Sequence, residues 1–360
     1  MRRVLTLVLL LSCGPALGQG AQHEQVATGL TFPWAIAFLP TGDFLITERP
    51  GTLKRVSPQG DLVPISGVPA VMAAGQGGLL DVVLAPDFAD SRRLFLSYSA
   101  GEARSNRLQV ASARLDGEQL SELTVVFAND VDKNTPHHFA GRMAFLPDGT
   151  LLVTVGDGFN GRARAQSTGN VFGTTVRINP DGSVPRDNPF VGEADAKPEI
   201  WTYGHRNHQA ILVTPDGTVF SHEHGPKGGD ELNVIEPGKN YGWPAISYGA
   251  DYNGAGITPF TEAAGMEQPV VVWTPSIAPA GMAHYSATRF PQWSGDLFVA
   301  SLAERSLRRI DLDGRTVEGQ EVLFTELGLR LRDVRMGPDG YLYVLTDGAA
   351  GELLRVSPAN

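Results

Sequence analysis

Short runs of alternating apolar and polar residues recur along the chain, each introduced by a proline and a Gly- or Asp-containing turn. Pro40-Thr41-Gly42-Asp43 precedes FLIT (44–47), and Pro86-Asp87-Phe88 precedes LFLSYS (94–99). Pro147-Asp148-Gly149 precedes TLLVTVGD (150–157), and Pro215-Asp216-Gly217 precedes TVFSHEHG (218–225). Pro291-Gln292-Trp293 precedes DLFVAS (296–301), and Pro338-Asp339-Gly340 precedes YLYVLTDG (341–348). Proline at the second turn position fixes φ and glycine accepts positive φ, so such a turn joins two antiparallel strands. Apolar segments before each turn (AIAFL, DVVLA, RMAFL, AILVT, LRDVRMG) supply the first strand of each hairpin. Further strands (TLKRV, RLQVASARL, TVRIN, SLRRIDLD, LLRVS) complete small sheets. Six copies of a four-stranded antiparallel sheet predict an all-β, six-bladed β-propeller spanning 23–358 as one domain. A strand near His23–Ala27 is placed to pair with the last blade and close the ring, leaving few open edges. The rival all-β fold, a two-sheet sandwich, accommodates six turn–strand copies poorly.

Composition agrees with this pattern. Glycine and proline together make nearly a fifth of the 360 residues, too much for a helix bundle, and 42% hydrophobic residues are too many for disorder. A net charge of −10 gives no support for nucleic-acid binding, and no apolar run is long enough for a transmembrane span. Met1-Arg2-Arg3, the apolar run Val4–Leu11 and Ala16-Leu17-Gly18 read as a signal peptide over 1–18. Leu10-Leu11-Ser12-Cys13 also reads as a lipoprotein cleavage site, which would end the signal at 12 and acylate Cys13, the sole cysteine. Either route predicts export to the periplasm or cell envelope. The acidic surface is compatible with a monomer or a homodimer.

Long stretches over 159–190 and 227–269, rich in Gly, Asn, Asp and Pro, read as functional loops. His137-His138 lies just before the third repeat, and Asp157 ends the strand after it. His205-Arg206-Asn207-His208 lies before the fourth repeat, and His222-Glu223-His224-Gly225-Pro226 ends its strand. Loops at equivalent ends of propeller strands converge, so His138, Asp157, Arg206 and the Gly225-Pro226 turn are expected to share one mouth: a base, a carboxylate, a cation and polar backbone. The histidines suggest a transition metal, but His205-x-x-His208 in a loop is weak support for zinc or iron. Neither a Ser nucleophile elbow nor a phosphate-binding loop occurs. The tryptophans Trp34, Trp243, Trp273 and Trp293 read as blade packing rather than sugar-stacking groups.

With these motifs assembled, from GLTFPWAIAFLPTGDFLITER through HHFAGRMAFLPDGTLLVTVGD, IWTYGHRNHQ and EHGPKGGDELNVIEPGKNYGWP to LRDVRMGPDGYLYVLTD, the chain resembles the soluble quinoprotein glucose/sorbosone dehydrogenases, especially bacterial aldose sugar dehydrogenases. The resemblance runs from about residue 29 to the C-terminus. It implies oxidation of aldose sugars to lactones, with pyrroloquinoline quinone (PQQ) as cofactor, one catalytic and one structural Ca2+, and a periplasmic electron acceptor as partner. Carried over by position, His138 is the base, Asp157 orients it, and Arg206 with Asn207 contacts the cofactor. Gln76, Gln209, Tyr252, Ser301, Ala303, Arg330 and Arg332 border the cofactor. Gly225 and Pro226, with Asp230 through water, hold the catalytic calcium; Glu231, Tyr241 and Asp251 hold the structural one. Arginines suit a tricarboxylate, and calcium prefers oxygen donors. The chain departs from some relatives where Ala303 and Thr174 stand in place of lysines, with Arg305 as a substitute for the first. His137 and His208 receive no role. A calcium-dependent propeller lactonase and a non-catalytic binding propeller are the rival functions; Arg330 and Arg332 argue against the first.

Overall fold

In a computed structural model, which describes residues 20–359, the chain forms six four-stranded antiparallel sheets. After β1 (Ala21–Leu30), blade 1 comprises β2 (Pro33–Phe38), β3 (Phe44–Glu48), β4 (Thr52–Val56) and β5 (Leu62–Ile65). Blade 2 comprises β6 (Leu79–Leu84), β7 (Arg93–Glu102), β8 (Ser105–Asp116) and β9 (Gln119–Ala128). Blade 3 comprises β10 (Ala140–Phe145), β11 (Leu151–Val155), β12 (Thr174–Ile178) and β13 (Ile200–Tyr203). Blade 4 comprises β14 (His208–Val213), β15 (Val219–Glu223), β16 (Asp230–Val234) and β17 (Val271–Trp273). Blade 5 comprises β18 (Pro279–His284), β19 (Leu297–Ser301), β20 (Leu307–Asp313) and β21 (Thr316–Leu323). Blade 6 comprises β22 (Leu331–Met336), β23 (Leu342–Thr346) and β24 (Gly351–Pro358), with β1 as its fourth strand. The ring therefore closes as expected, Gln22 pairing with Ser357 and Leu30 with Gly351. The signal and lipidation segments lie outside the described residues.

Each Pro-Asp-Gly turn works as its composition dictates. Gly149, Gly217 and Gly340 take φ of 82°, 86° and 80°. The aspartate carboxylates accept N–H groups two residues on, Asp148 from Thr150 (2.9 Å) and Asp216 from Thr218 (3.2 Å). All these turns connect a blade's first strand to its second, so they gather at one end of the ring. The opposite end receives the loops that enter each first strand.

Every first strand carries a register irregularity near that entry end, between Pro33 and Ala35, Leu79 and Val82, Ala140 and Met143, His208 and Ala210, Pro279 and Met282, and Leu331 and Asp333. Such bulges bend a strand and re-aim its side chains. Hydroxyls of the second strands brace them: Thr47 Oγ1 accepts from Ala35 N (3.1 Å) and donates to Leu80 O, while Ser97 Oγ accepts from Asp81 N (2.9 Å) and donates to Gly141 O. The bonds to Leu80 O and Gly141 O also tie each blade to the next. The apolar core lies between and within blades, as in the Phe95–Phe145 contact of blades 2 and 3 and the Phe38–Tyr343 contact of blades 1 and 6. β16 lies inside 227–269, which reads as loop, because DELNV offers only Leu232 and Val234 as alternating apolar positions; its Asp230 and Asn233 are buried polar groups.

Candidate active site

The entry loop of blade 3 presents His138 at a φ of 52°, a left-handed conformation that costs a non-glycine residue energy and persists only where neighbours enforce it. Its backbone N–H donates to Gln76 Oε1 (2.7 Å) from the entry loop of blade 2. Beneath the loop, the Lys133 ammonium donates to Thr135 O (2.6 Å) and His137 O (2.7 Å) and lies 3.4 Å from the centre of the Phe139 ring. Burial draws Lys133 down to about 7.

His138 Nδ1 and Asp157 Oδ1 are 2.7 Å apart, both side chains buried. Asp157 Oδ2 accepts from Trp243 Nε1 (2.8 Å), and Oδ1 also accepts from Phe159 N (2.7 Å). Burial alone would raise the Asp157 carboxyl, but His138 and the Phe159 N–H outweigh it and hold it below the carboxylate range. The carboxylate thus takes its proton-bearing partner at Nδ1, and His138 Nε2 is the nitrogen available to substrate. Burial holds the imidazole below its ordinary value, against the opposing pull of Asp157, so it is neutral at pH 7. These two groups line a cavity of about 280 Å³ with Phe159, Asn160, Arg162, Arg206, Trp243 and Tyr252 among its walls.

Arg206 and Asn207 are consecutive, and each faces a different cavity. Arg206 belongs to the His138 cavity; Asn207 lines a second one of about 360 Å³ with Gln76, Gln209, His224, Arg330 and Arg332. Arg206 Nη1 donates to His224 O (3.0 Å) and Gly225 O (2.7 Å). Asn207 is buried, and neither its Oδ1 nor its Nδ2 has a hydrogen-bond partner; Ser301 Oγ is buried and unpartnered as well. Unpaired buried polar atoms are costly. Asn207, Gln76, Gln209 and the two arginines of the second cavity fit a ligand rich in carboxylates, the chemistry of PQQ, whereas Ser301 and Ala303 are not among the residues lining it.

Asp347 organises those arginines. Its Oδ2 accepts from Arg330 Nε (2.9 Å), and its Oδ1 accepts from Arg332 Nη2 (3.2 Å) and Nε (3.3 Å). Burial would raise the Asp347 carboxyl; the Arg332 and Arg330 guanidiniums overcome this and lower it. Burial brings His224 down to about 3, with the charges of Arg206 and Arg332 as further causes, so the second cavity has a neutral imidazole in its wall. Arg305 turns to the Gly328 carbonyl (3.1 Å) and is not among the residues lining the second cavity; Ala303 N donates to Ile277 O (3.0 Å).

The Gly225-Pro226 turn is held by Asp230, whose Oδ1 accepts from Gly225 N (2.9 Å) and whose Oδ2 accepts from Ser276 Oγ (2.6 Å) and Ala278 N (2.9 Å). Backbone carbonyls beside a buried carboxylate are donors of the type calcium takes, although Gly225 O here accepts from Arg206 Nη1, a bond that calcium would displace. Glu231 pairs in register with Glu223 across β16 and β15, and burial, then the Glu223 charge, raises it to about 8. Tyr241 places its hydroxyl on Val234 O (2.8 Å). Asp251 lines the His138 cavity, where its Oδ2 accepts from Arg162 (3.1 Å). Tyr252 stands 60% exposed at the same rim, its hydroxyl 3.4 Å from Arg206 Nη2.

Trp243, Lys133 and Asp347 were not legible as site residues. Trp243 reads as packing, yet it meets Asp157 across 86 positions of sequence. The chain matches the Glucose / Sorbosone dehydrogenase family over residues 30–355. It is 45% identical to the aldose sugar dehydrogenase YliI of Escherichia coli (strain K12), over 99% of this chain and 98% of that protein. The apo crystal structure of the soluble aldose sugar dehydrogenase from Escherichia coli superposes with a TM-score of 0.91 at 43% identity, covering 94% of this chain and all of the other. The PQQ-bound aldose sugar dehydrogenase of Streptomyces coelicolor gives 0.76 at 30% identity, covering 94% and 99%. Among the described residues no helix is long and apolar enough to cross a membrane. With fold, family match and relatives in agreement, the chain belongs to the glucose/sorbosone dehydrogenase family.

Proposed function

We propose that the protein oxidises aldose sugars at the anomeric carbon to lactones, with PQQ as the hydride acceptor, and passes the electrons to a periplasmic carrier. The observation that carries this reading is the His138–Asp157 pair in one cavity, joined through the consecutive residues Arg206 and Asn207 to an arginine-lined second cavity. When bound, the quinone supplies a carbonyl that accepts hydride from the sugar, and calcium polarises that carbonyl. Arg330, Arg332, Asn207, Gln76 and Gln209 would hold the cofactor, with Ser301 and Ala303 on the blade 5 side and Tyr252 at the rim. The carbonyls of Gly225 and Pro226 would hold the calcium, with Asp230 fixing their turn. Glu231, Tyr241 and Asp251 would serve a second, structural calcium.

The chain's own chemistry follows from the geometry. His138 Nε2 takes the proton of the anomeric hydroxyl while Asp157 stabilises the imidazolium at Nδ1. Arg206 faces the same space and offsets negative charge developing on the acceptor side. Trp243 and the Phe159 N–H keep Asp157 from rotating away. Export rests on Met1-Arg2-Arg3 and the apolar run after it, with cleavage at Gly18 or acylation of Cys13.

The test is His138→Gln in protein reconstituted with PQQ and Ca2+. Quinone binding, followed by its absorption, stays within about two-fold of wild type, while aldose-dependent dye reduction falls by roughly 10²–10⁴. Unchanged turnover would remove His138 as the base.

A further inference from the structure

The turn carrying Arg206 and Asn207 rests on a buried group that neither cavity uses. His205 precedes the turn, His208 follows it, and Glu223 ends the neighbouring strand; one ligand atom from each lies within 4.8 Å of the other two. Each histidine has one ring nitrogen turned to a hydroxyl. His205 Nε2 is 3.0 Å from Thr202 Oγ1, and His208 Nδ1 is 2.8 Å from Ser221 Oγ. Ser221 Oγ donates its single proton to Ala210 O (2.6 Å), so it accepts from His208 Nδ1–H. His208 Nε2 is then a bare lone pair, fully buried and without a partner. His205 Nδ1 stands 2.9 Å from Glu223 Oε1, and Glu223 Oε2 accepts the backbone N–H groups of Arg206 and Asn207.

This is the layout of a metal centre. One nitrogen from each imidazole and one carboxylate oxygen lie within 4.8 Å of one another, and with His205 Nε2, His208 Nδ1 and Glu223 Oε2 engaged by Thr202, Ser221 and backbone N–H, the opposite atom of each side chain is the one left for an ion. We propose that His205, His208 and Glu223 bind one divalent transition ion of the zinc class. Two nitrogen donors favour such an ion over calcium, which takes oxygen, so the site is chemically distinct from the carbonyl set at Gly225-Pro226. The His205 ring stays neutral on binding: its proton moves from Nδ1 to Nε2 and donates to Thr202 Oγ1. The ion ties the start of β14 to the end of β15 and so pins the Arg206-Asn207 turn between them. It also places a positive charge beside Glu223, a buried carboxylate with no lysine or arginine ion pair among the described residues. The proposal does not depend on sugar oxidation.

The test uses the untagged protein, stripped with chelator, returned to excess Ca2+ to occupy the oxygen sites, and titrated with Co2+. One equivalent is expected, seen in the visible ligand-field absorption and displaced by Zn2+. His208→Gln weakens cobalt binding by at least ~100-fold, and Ser221→Ala, which frees the His208 ring, weakens it by about 10-fold. Far-UV circular dichroism and a thermal transition establish that each variant is folded. Absence of cobalt binding by the folded wild type, as when a water satisfies His208 Nε2, overturns the proposal. So does unchanged affinity in His208→Gln or, should that variant not fold, in Ser221→Ala.

Discussion

At the scale of single residues, the account turns on how His138 is kept neutral and aimed. Burial lowers its imidazole below the ordinary 6.5, so the acid limb of kcat/KM should fall below pH 6.5, with activity lost as pH drops through it. An inflection above that value in a pH–rate profile contradicts the assignment. Asp157→Asn keeps the shape but presents the wrong tautomer, and kcat should fall by roughly 10³–10⁴. Trp243→Phe removes the donor to Asp157 Oδ2 (2.8 Å) that holds the carboxylate in line with His138, so kcat should fall about 10-fold through misorientation of the base while the protein stays folded. His138, Asp157 and Arg206 stand out as motifs because their chemistry contrasts with turns and apolar strands, whereas Arg330 and Arg332, which alternate like any strand-edge charges, are singled out only by the family resemblance. Trp243, Lys133 and Asp347 were not legible, since a tryptophan, a lysine and a strand-end aspartate have common structural uses and their partners lie on other loops.

Among the elements, the propeller was readable from six turn–strand copies and from a leading strand left over to close the ring. What the pattern could not show is the bulge in each first strand, which depends on hydroxyls such as Thr47 and Ser97 meeting the next blade. Strand β16 was hidden for a related reason: only Leu232 and Val234 of DELNV are apolar, and its buried Asp230 and Asn233 replace the longer apolar alternation that marks the other strands. Closure by β1 makes a graded prediction. Leu30, fully buried where β1 meets β24, should cost about 2–5 kcal/mol on replacement by Ala. Glu24→Ala, which removes an exposed partner of Arg355 on the same strand, should cost under about 1 kcal/mol. Denaturant midpoints of the two variants check this ordering, and equal effects would argue against closure by β1.

For the whole molecule, the six first strands surround an axis that is plugged by charge. Arg142, from blade 3, is fully buried between Asp81 of blade 2 (3.6 Å) and Asp333 of blade 6 (3.2 Å), and Arg335 bridges the same two carboxylates. Arg142 also donates to Gln209 O (2.8 Å) and lies 3.9 Å over Trp34, so blades 1, 2, 3, 4 and 6 meet at one side chain. This cluster separates the site end from an apolar cavity of about 670 Å³ at the turn end, lined by residues of all six blades. Arg142→Met leaves two buried carboxylates short of a cation and should destabilise the fold by about 3–5 kcal/mol in denaturant titrations. The axial plug fixes blades 3, 4 and 6 relative to one another, and those blades carry His138, Arg206 and Arg332. The claim that they act on one cofactor is tested most directly by adding PQQ and Ca2+ to the purified apo-protein and following dye reduction with glucose and other aldoses. The account predicts reduction that requires both additions and an aldose; no reduction with any aldose would contradict it.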